Sequence, residues 1–205
     1  FDEKKNIFID RFRGRIIFPI NSISGSPIAI GGRIMEKNSF FAKYINSPET
    51  QFFKKGNNLY NIDKARVFSN KLKEIFLVEG YMDVIGLNNN GIQNCVANLG
   101  TALTERQMIL LNQFFNEIII CYDSDESGYK AAVRAAENSI RELQPEKQIS
   151  FLFLPEGEDP DTYVNKNGKE NFLNFYKENK IFIHDFLFNH LKKQSSNSPS
   201  SLAIL

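Results

Sequence analysis

From residue 73 onward the chain switches repeatedly between two kinds of apolar pattern. The stretch "KEIFLVE" (73–79) is a short continuous apolar run bounded by charge, which predicts a strand buried on both faces. The following "YMDVIGLNNNG" predicts a short helix closed by Gly91. The alternation continues with a strand inside "IQNCVANLG", a helix over "TERQMILLNQFFNE", a strand at "IIICYD", a long helix over "GYKAAVRAAENSIREL" and a fourth strand at "QISFLFLP". Thr104 and Gln107 have the spacing of a capping box, which marks where the second helix begins. Strands alternating with helices predict a mostly parallel sheet covered on both faces, so the fold class is α/β, or α+β with the flanking segments included.

Those flanking segments have other patterns. "RIIFPINSISGSPIAIGGRI" sets two β-branched runs around a Ser/Gly turn and predicts an antiparallel hairpin. Gly31 and Gly32 within it suggest a bulge or a close approach. "KYINSPETQFFKKGNNLYN" (43–61) has Asn, Pro and Gly but no period and is expected to be a loop, with a short helix over "NIDKARVFSNKL" after it. Near the other end, "GKENFLNFYKENKIFIHDFLFNHLKKQ" has helical spacing and is expected to form two helices, and "SSNSPSS" reads as a flexible linker. There is no internal repeat. The expected organisation is a basic mixed α/β subdomain over 1–72, the parallel sheet with its helices over 73–167, and a small helical subdomain with a linker over 168–205.

With 205 residues, 42% of them hydrophobic and 24% charged, the chain can bury a sizeable core and is not of disordered composition. No apolar run reaches the length of a membrane span and no signal segment opens the chain, so a cytoplasmic protein without a membrane partner is expected. The chain starts on Phe1 and its first methionine is Met35, which reads as an excerpt of a longer protein. Cys95 and Cys121 fall in separate predicted strands without neighbouring Cys or His, so buried free thiols are expected rather than a disulfide or a zinc site. His184 and His190 are six residues apart, on different helix faces, which argues against a metal pair.

Charge changes the picture more. Residues 1–72 hold 13 Lys or Arg against 6 Asp or Glu, and residues 73–205 hold 12 against 18, so a net +1 conceals a basic half followed by an acidic half. Solvated faces alone could account for this, but so could a polyanion-binding surface beside a metal site. In an open parallel sheet, ligands bind beyond the carboxyl ends of the strands. Glu79 ends the first predicted strand and Asp83 lies in the first turn of the next helix; Asp123 and Asp125 end the third strand, and Asp159 and Asp161 follow the fourth. Any one of these acids could simply cap a helix. Six converging from three segments repel one another unless a cation joins them, and hard oxygen donors without His or Cys select magnesium or manganese. Such a site suits phosphoryl chemistry.

"LVEGYMDVIGL", "IIICYDSDESGYKAA" and "LPEGEDPDTYV" resemble the three signature blocks of the Toprim domain, which is shared by primases, topoisomerases, some nucleases and recombination proteins. "DRFRGRIIFPI", "IAIGGRIM" and "KYINSPET" with "FFKKGNNLYN" resemble the basic subdomain of the bacterial DnaG-type primase family. The likeness runs from about residue 9 to about residue 190. It implies an RNA-polymerase core that makes short RNA primers on single-stranded DNA from nucleoside triphosphates. By this resemblance Glu79 acts in acid/base chemistry or organises the metals, and Asp83, Asp123, Asp125, Asp159 and Asp161 bind Mg2+ (or Mn2+), with Asp123 and Asp125 foremost. Arg11, Arg13, Arg15, Arg33, Lys43, Asn46 and Lys55 correspond to positions that hold template, primer or triphosphate. The resemblance places the family's zinc in a separate N-terminal module and its replicative-helicase contact in a C-terminal one, so neither is expected within these residues.

Simpler readings stand beside these. Arg11, Arg13 and Arg15 would share one face of a strand and could protect a sheet edge. "FFKKG" could be a solvated turn, Asn46 could form an Asx turn before Pro48, and Tyr81 and Met82 could serve packing alone. A Toprim nuclease using the same acids, or a non-catalytic Toprim DNA-binding module, remains an alternative function. A topoisomerase fits less well, because no winged-helix segment with a nucleophilic tyrosine is visible.

Overall fold

The computed structural model describes residues 6, 8–36 and 40–195. β1 (Arg15–Asn21) and β2 (Pro27–Ile34) pair antiparallel, as their β-branched runs predict, and β3 (Tyr44–Asn46) adds to the far side of β2. β3 corrects the expectation of a loop over 43–61. Three residues ahead of Pro48 are too few to display an alternation, and the strand forms because β2 offers a ladder to pair with. Residues 11–14 form a turn rather than a strand, so Arg11, Arg13 and Arg15 do not share a strand face as expected. The turn arises where the Asp10 carboxylate accepts the Phe12 N–H at 2.8 Å and Gly14 adopts φ 66°.

The paired glycines mark a close approach, whereas the register shift of the hairpin lies at Ile20/Asn21. A Cβ on Gly31 would overlap the Tyr81 hydroxyl. That ring cannot easily retreat: it is 6% exposed, stacked on Phe18 at 4.8 Å and edge-on to Tyr60 at 4.6 Å. Gly31→Ala is therefore expected to cost about 1–3 kcal/mol as an overpacked contact. A lower urea midpoint at unchanged slope is the expected reading. An unchanged midpoint would mean that the ring has room to move.

The short helix expected at 61–72 is α1 (Ile62–Ala65), extended by a 3-10 turn at Arg66–Phe68. Next come β4 (Glu74–Val78), α2 (Tyr81–Asn89), β5 (Cys95–Ala97), α3 (Glu105–Asn112), β6 (Glu117–Tyr122), α4 (Glu126–Ile140), β7 (Gln148–Phe153), α5 (Pro160–Asn179), β8 (Ile181–Phe182) and α6 (Ile183–Ser195). The second sheet has the order β5-β4-β6-β7-β8, its first four strands parallel and β8 antiparallel to β7. β8 was not expected, since two residues between helical patterns carry no period of their own.

The continuous apolar runs of β4 and β6 are explained by burial on both faces. Ile75, Leu77, Ile118 and Ile120 face Met108 and Leu111 of α3, Ala132 and Ala135 of α4 and Phe186 of α6. Their neighbours Phe76, Val78, Ile119 and Cys121 face Val84 and Leu87 of α2 and Val164, Phe172 and Tyr176 of α5. Both cysteines are buried and free. α5 begins earlier than its pattern suggested, at Pro160, and breaks at Gly168, whose φ is 81°. At the starting ends of the strands Lys180 donates to Glu117 Oε1 at 2.6 Å, and the Tyr176 hydroxyl donates to Glu74 Oε2 at 3.2 Å. The Ser/Pro-rich linker from residue 196 lies outside the described residues. Among the described residues no helix is long and apolar enough to cross a membrane.

A third apolar cluster joins the two sheets, built from Phe18, Ile20, Phe53, Tyr81 and Leu99. It fixes the basic sheet beside the carboxyl ends of β4, β5 and β6, where the strand-end acids emerge.

Candidate active site

Each strand-end acid is set by the local chain. Glu79 directly follows β4, and its Oε1 accepts the Asp123 N–H at 3.3 Å, which ties the ends of β4 and β6 together. Asp83, in the first turn of α2, accepts the Gly80 N–H at 2.9 Å. Asp125 caps α4 by accepting the Gly128 N–H at 2.7 Å, and Asp159 caps α5 by accepting the Thr162 N–H at 2.7 Å. Gly128 itself lies so near the Asp123 carbonyl that a Cβ would overlap it, which accounts for the glycine closing "DSDESG". The ordinary capping explanation thus holds for three of the acids.

Capping does not account for the electrostatics. Burial, then Asp159, with Asp123 and Glu79 adding, pushes the Asp83 carboxyl from 3.8 up to about 7, against the Gly80 hydrogen bond. That corresponds to about 4 kcal/mol against the charged form, whereas a cap contributes about 1 kcal/mol. Asp123 is raised by burial, Asp159 and Asp125; Glu79 is raised by burial, then by Asp123 and Asp125. Carboxylates that raise one another in this way form a donor set suited to a hard divalent cation.

Among the described residues no three His, Cys, Asp or Glu side chains are already arranged around a single ion position.

A cleft of about 710 Å³ opens between the two sheets. Glu79, Asp83, Asp123 and Asp159 line it from the parallel sheet, and Arg11, Lys43, Asn46 and Lys55 line it from the basic segment. A neighbouring depression of about 380 Å³ shares Asp123 and Asp159 and adds Asp125, Glu156 and Glu158. The structure therefore brings together eight of the expected site residues, with Asp125 next to them.

Four others lie outside both cavities. Asp161 is turned against Gly86 of α2 and accepts the Asn165 amide at 2.7 Å. Arg13 is exposed on the turn before β1. Arg15 donates to the carbonyls of Gly32 and Lys43, each at 3.3 Å, so it braces β2 against β3. The Arg33 guanidinium lies over the Tyr44 ring at 5.7 Å.

Sequence reasoning missed Tyr44. Its ring lines the cleft, is 37% exposed and sits beneath both Arg33 and Lys43, the latter at 5.9 Å. Its hydroxyl is raised by burial, against Arg33, with Asp83, Asp161 and Asp159 adding, so the basic side of the cleft lies within the field of the acids. A tyrosine directly after a lysine, within "KYIN", was the available signal. The Asx turn considered for Asn46 is replaced by longer links: its amide donates to the Leu99 carbonyl at 2.9 Å and accepts from the Tyr81 hydroxyl at 2.6 Å. Tyr81 therefore packs and also holds Asn46.

Comparison with known proteins identifies the family and the fold. Residues 1–66 match the family model described as the DNA primase catalytic core, N-terminal domain, and residues 76–164 match the Toprim-like model. The chain is 41% identical to a DNA primase of Haemophilus influenzae over 193 residues, covering 94% of this chain and 32% of that one. It thus spans about a third of the length of that curated relative. A crystal structure of a DNA primase domain from Pseudomonas aeruginosa superposes with a TM-score of 0.87 at 43% identity, over 91% of this chain and 58% of that one. A structure described as the DnaG primase catalytic domain bound to ssDNA gives 0.87 at 41% identity, over 95% of this chain and 62% of that one. With both family models matched in order and the fold shared at this identity, the chain belongs to the bacterial DnaG-type DNA primase family, within its catalytic core.

Proposed function

We propose that the chain carries the nucleotidyl-transfer centre of a primase, joining ribonucleotides into short RNA primers on single-stranded DNA. The observation that carries this reading is one cleft with carboxylates on its parallel-sheet side and Arg11, Lys43 and Lys55 on its basic side. Template and triphosphate are both polyanions, and a cleft of one sign would hold either the phosphates or their metal but not both.

Asp123 and Asp159, with Asp83 and Asp125 beside them, would hold Mg2+ (or Mn2+), which when bound polarises the transferring phosphate and offsets charge on the leaving pyrophosphate. Lys43, Lys55 and Arg11 bind phosphate oxygens without reading sequence. Tyr44 offers a flat face against which a base can stack. Glu79 is fixed by the Asp123 N–H beside the acids and takes the proton of the attacking 3′-hydroxyl. Positioning and electrostatics supply most of the acceleration. Zinc and the replicative helicase are assigned no residue of this chain, and the expected place of work is a replication fork in the bacterial cytoplasm.

Incubation with labelled ribonucleotides, a single-stranded template and magnesium tests the reading. Short labelled RNA is the expected product. Degraded template without primers would favour the Toprim nuclease instead, and binding without either reaction would favour a non-catalytic module. On the basic side, Lys43→Ala is expected to weaken single-stranded DNA binding and to flatten its salt dependence by about 0.7 per lost phosphate contact. An unmoved affinity and slope, read by fluorescence anisotropy across a salt series, would remove Lys43 from the polyanion surface.

A further inference from the structure

The Lys55 side chain lines the cleft, but its backbone is held from outside the basic segment. Lys55 lies on a 3-10 turn of three residues, Lys55–Asn57, too short to fix its own geometry. The first turn of α3 grips that turn across about fifty residues of sequence. The Gln107 amide donates to the Lys55 carbonyl at 3.1 Å and to the Asn58 carbonyl at 2.8 Å, and the Thr104 hydroxyl donates to the Gly56 carbonyl at 2.5 Å. From the other side, Glu49 Oε1 accepts the Lys55 N–H at 2.9 Å.

Gln107 is fully buried, and its amide is fully engaged, since its Oε1 also accepts the Thr104 N–H at 3.0 Å. A buried amide is tolerated only when its donors and acceptor are matched, and here both donors serve the Lys55 turn, at the carbonyls of Lys55 and Asn58. The same segment reaches the cleft at its other end, where the Leu99 carbonyl accepts the Asn46 amide at 2.9 Å. Residues 99–107 thus hold two cleft-lining groups of the basic segment, Asn46 and Lys55, against the sheet that carries the acids.

We propose that Gln107 and Thr104 are positioning residues: the first turn of α3 sets where the Lys55 ammonium meets a bound triphosphate. A lysine ammonium is tethered by a four-carbon stem of limited reach, so displacing the turn that carries Lys55 withdraws the ammonium from the phosphates. The proposal rests on the primase reading only for the identity of the anion. The capping box read from Thr104 and Gln107 is present, but it has a second use that no local pattern could reveal.

Equilibrium binding of ATP in the presence of MnCl2 to the 205-residue chain tests this through a double-mutant cycle. Lys55→Ala is expected to weaken binding about 10-fold and Gln107→Met about 5-fold, with the double variant no weaker than Lys55→Ala alone. Thr104→Ala is expected to behave like Gln107→Met and to carry the same cycle if Gln107→Met loses its helical circular dichroism. Thr104→Ser, which keeps the hydroxyl, is expected to bind like wild type. Effects that multiply in the double variant, a folded Gln107→Met that binds normally, or a Thr104→Ser as weak as Thr104→Ala would overturn the positioning role. A wild-type chain that binds no ATP would instead overturn the nucleotide cleft itself.

Discussion

Asp123→Asn is expected to abolish primer synthesis while leaving the protein folded. Asp123 is one of the two carboxylates shared by both cavities, and its charge interacts with those of Asp159, Asp125 and Glu79. Losing a metal-holding oxygen removes stabilisation made mainly in the transition state, so a fall on the order of 10³-fold or more, about 4 kcal/mol, is expected. The variant also separates chemistry from folding. Burial and neighbouring carboxylates raise the Asp123 carboxyl, so at neutral pH its ionised form is a burden on the metal-free fold. Replacing it with a neutral amide should leave the melting temperature without magnesium equal to or above that of wild type. Magnesium should raise the wild-type melting temperature by mass action and leave the variant nearly unmoved. Retained synthesis, or a magnesium response as large as that of wild type, would remove Asp123 from the metal site.

Glu79→Gln is the second large effect. Glutamine keeps an oxygen that can accept the Asp123 N–H, so the tie between the ends of β4 and β6 survives and stability should change little. What is lost is the ability to take a proton, which typically contributes about 10²–10⁴-fold. The expected result is a loss of synthesis in that range with the magnesium-induced rise in melting temperature intact. If that rise disappears together with the activity, Glu79 organises the metal ligands and is not the proton acceptor.

The parallel sheet was legible because its strands are buried on both faces, so β4 and β6 appear as unbroken apolar runs and their last residues could be counted outward to Glu79 and Asp123. The acids were also legible as cap residues, and the structure makes Asp125 and Asp159 both helix caps and cleft-edge carboxylates. β3 and β8 were not legible, since strands of three and two residues exist only through pairing with β2 and β7. Nor could spacing tell which basic residues reach the cleft. Arg15 and Lys55 look alike in sequence, yet Arg15 is engaged with the backbone carbonyls of Gly32 and Lys43 while Lys55 lines the cleft. Asp161 shares a D-x-D pair with Asp159, but one position into α5 turns it toward Gly86 and Asn165. The bonds of Gln107 to the Lys55 turn span 49 and 52 residues, a separation at which a single sequence carries no pattern.

The central claim is that the acids of the parallel sheet and the cations of the basic segment act on the same bound nucleotide. An anomalous-difference map from crystals soaked with MnCl2 and a nucleoside triphosphate tests it most directly. Manganese is expected against Asp123 and Asp159, with the phosphates between the metal and the ammonium groups of Lys43 and Lys55. Manganese bound away from Asp123 and Asp159, or a triphosphate lodged outside this cleft, would contradict the claim.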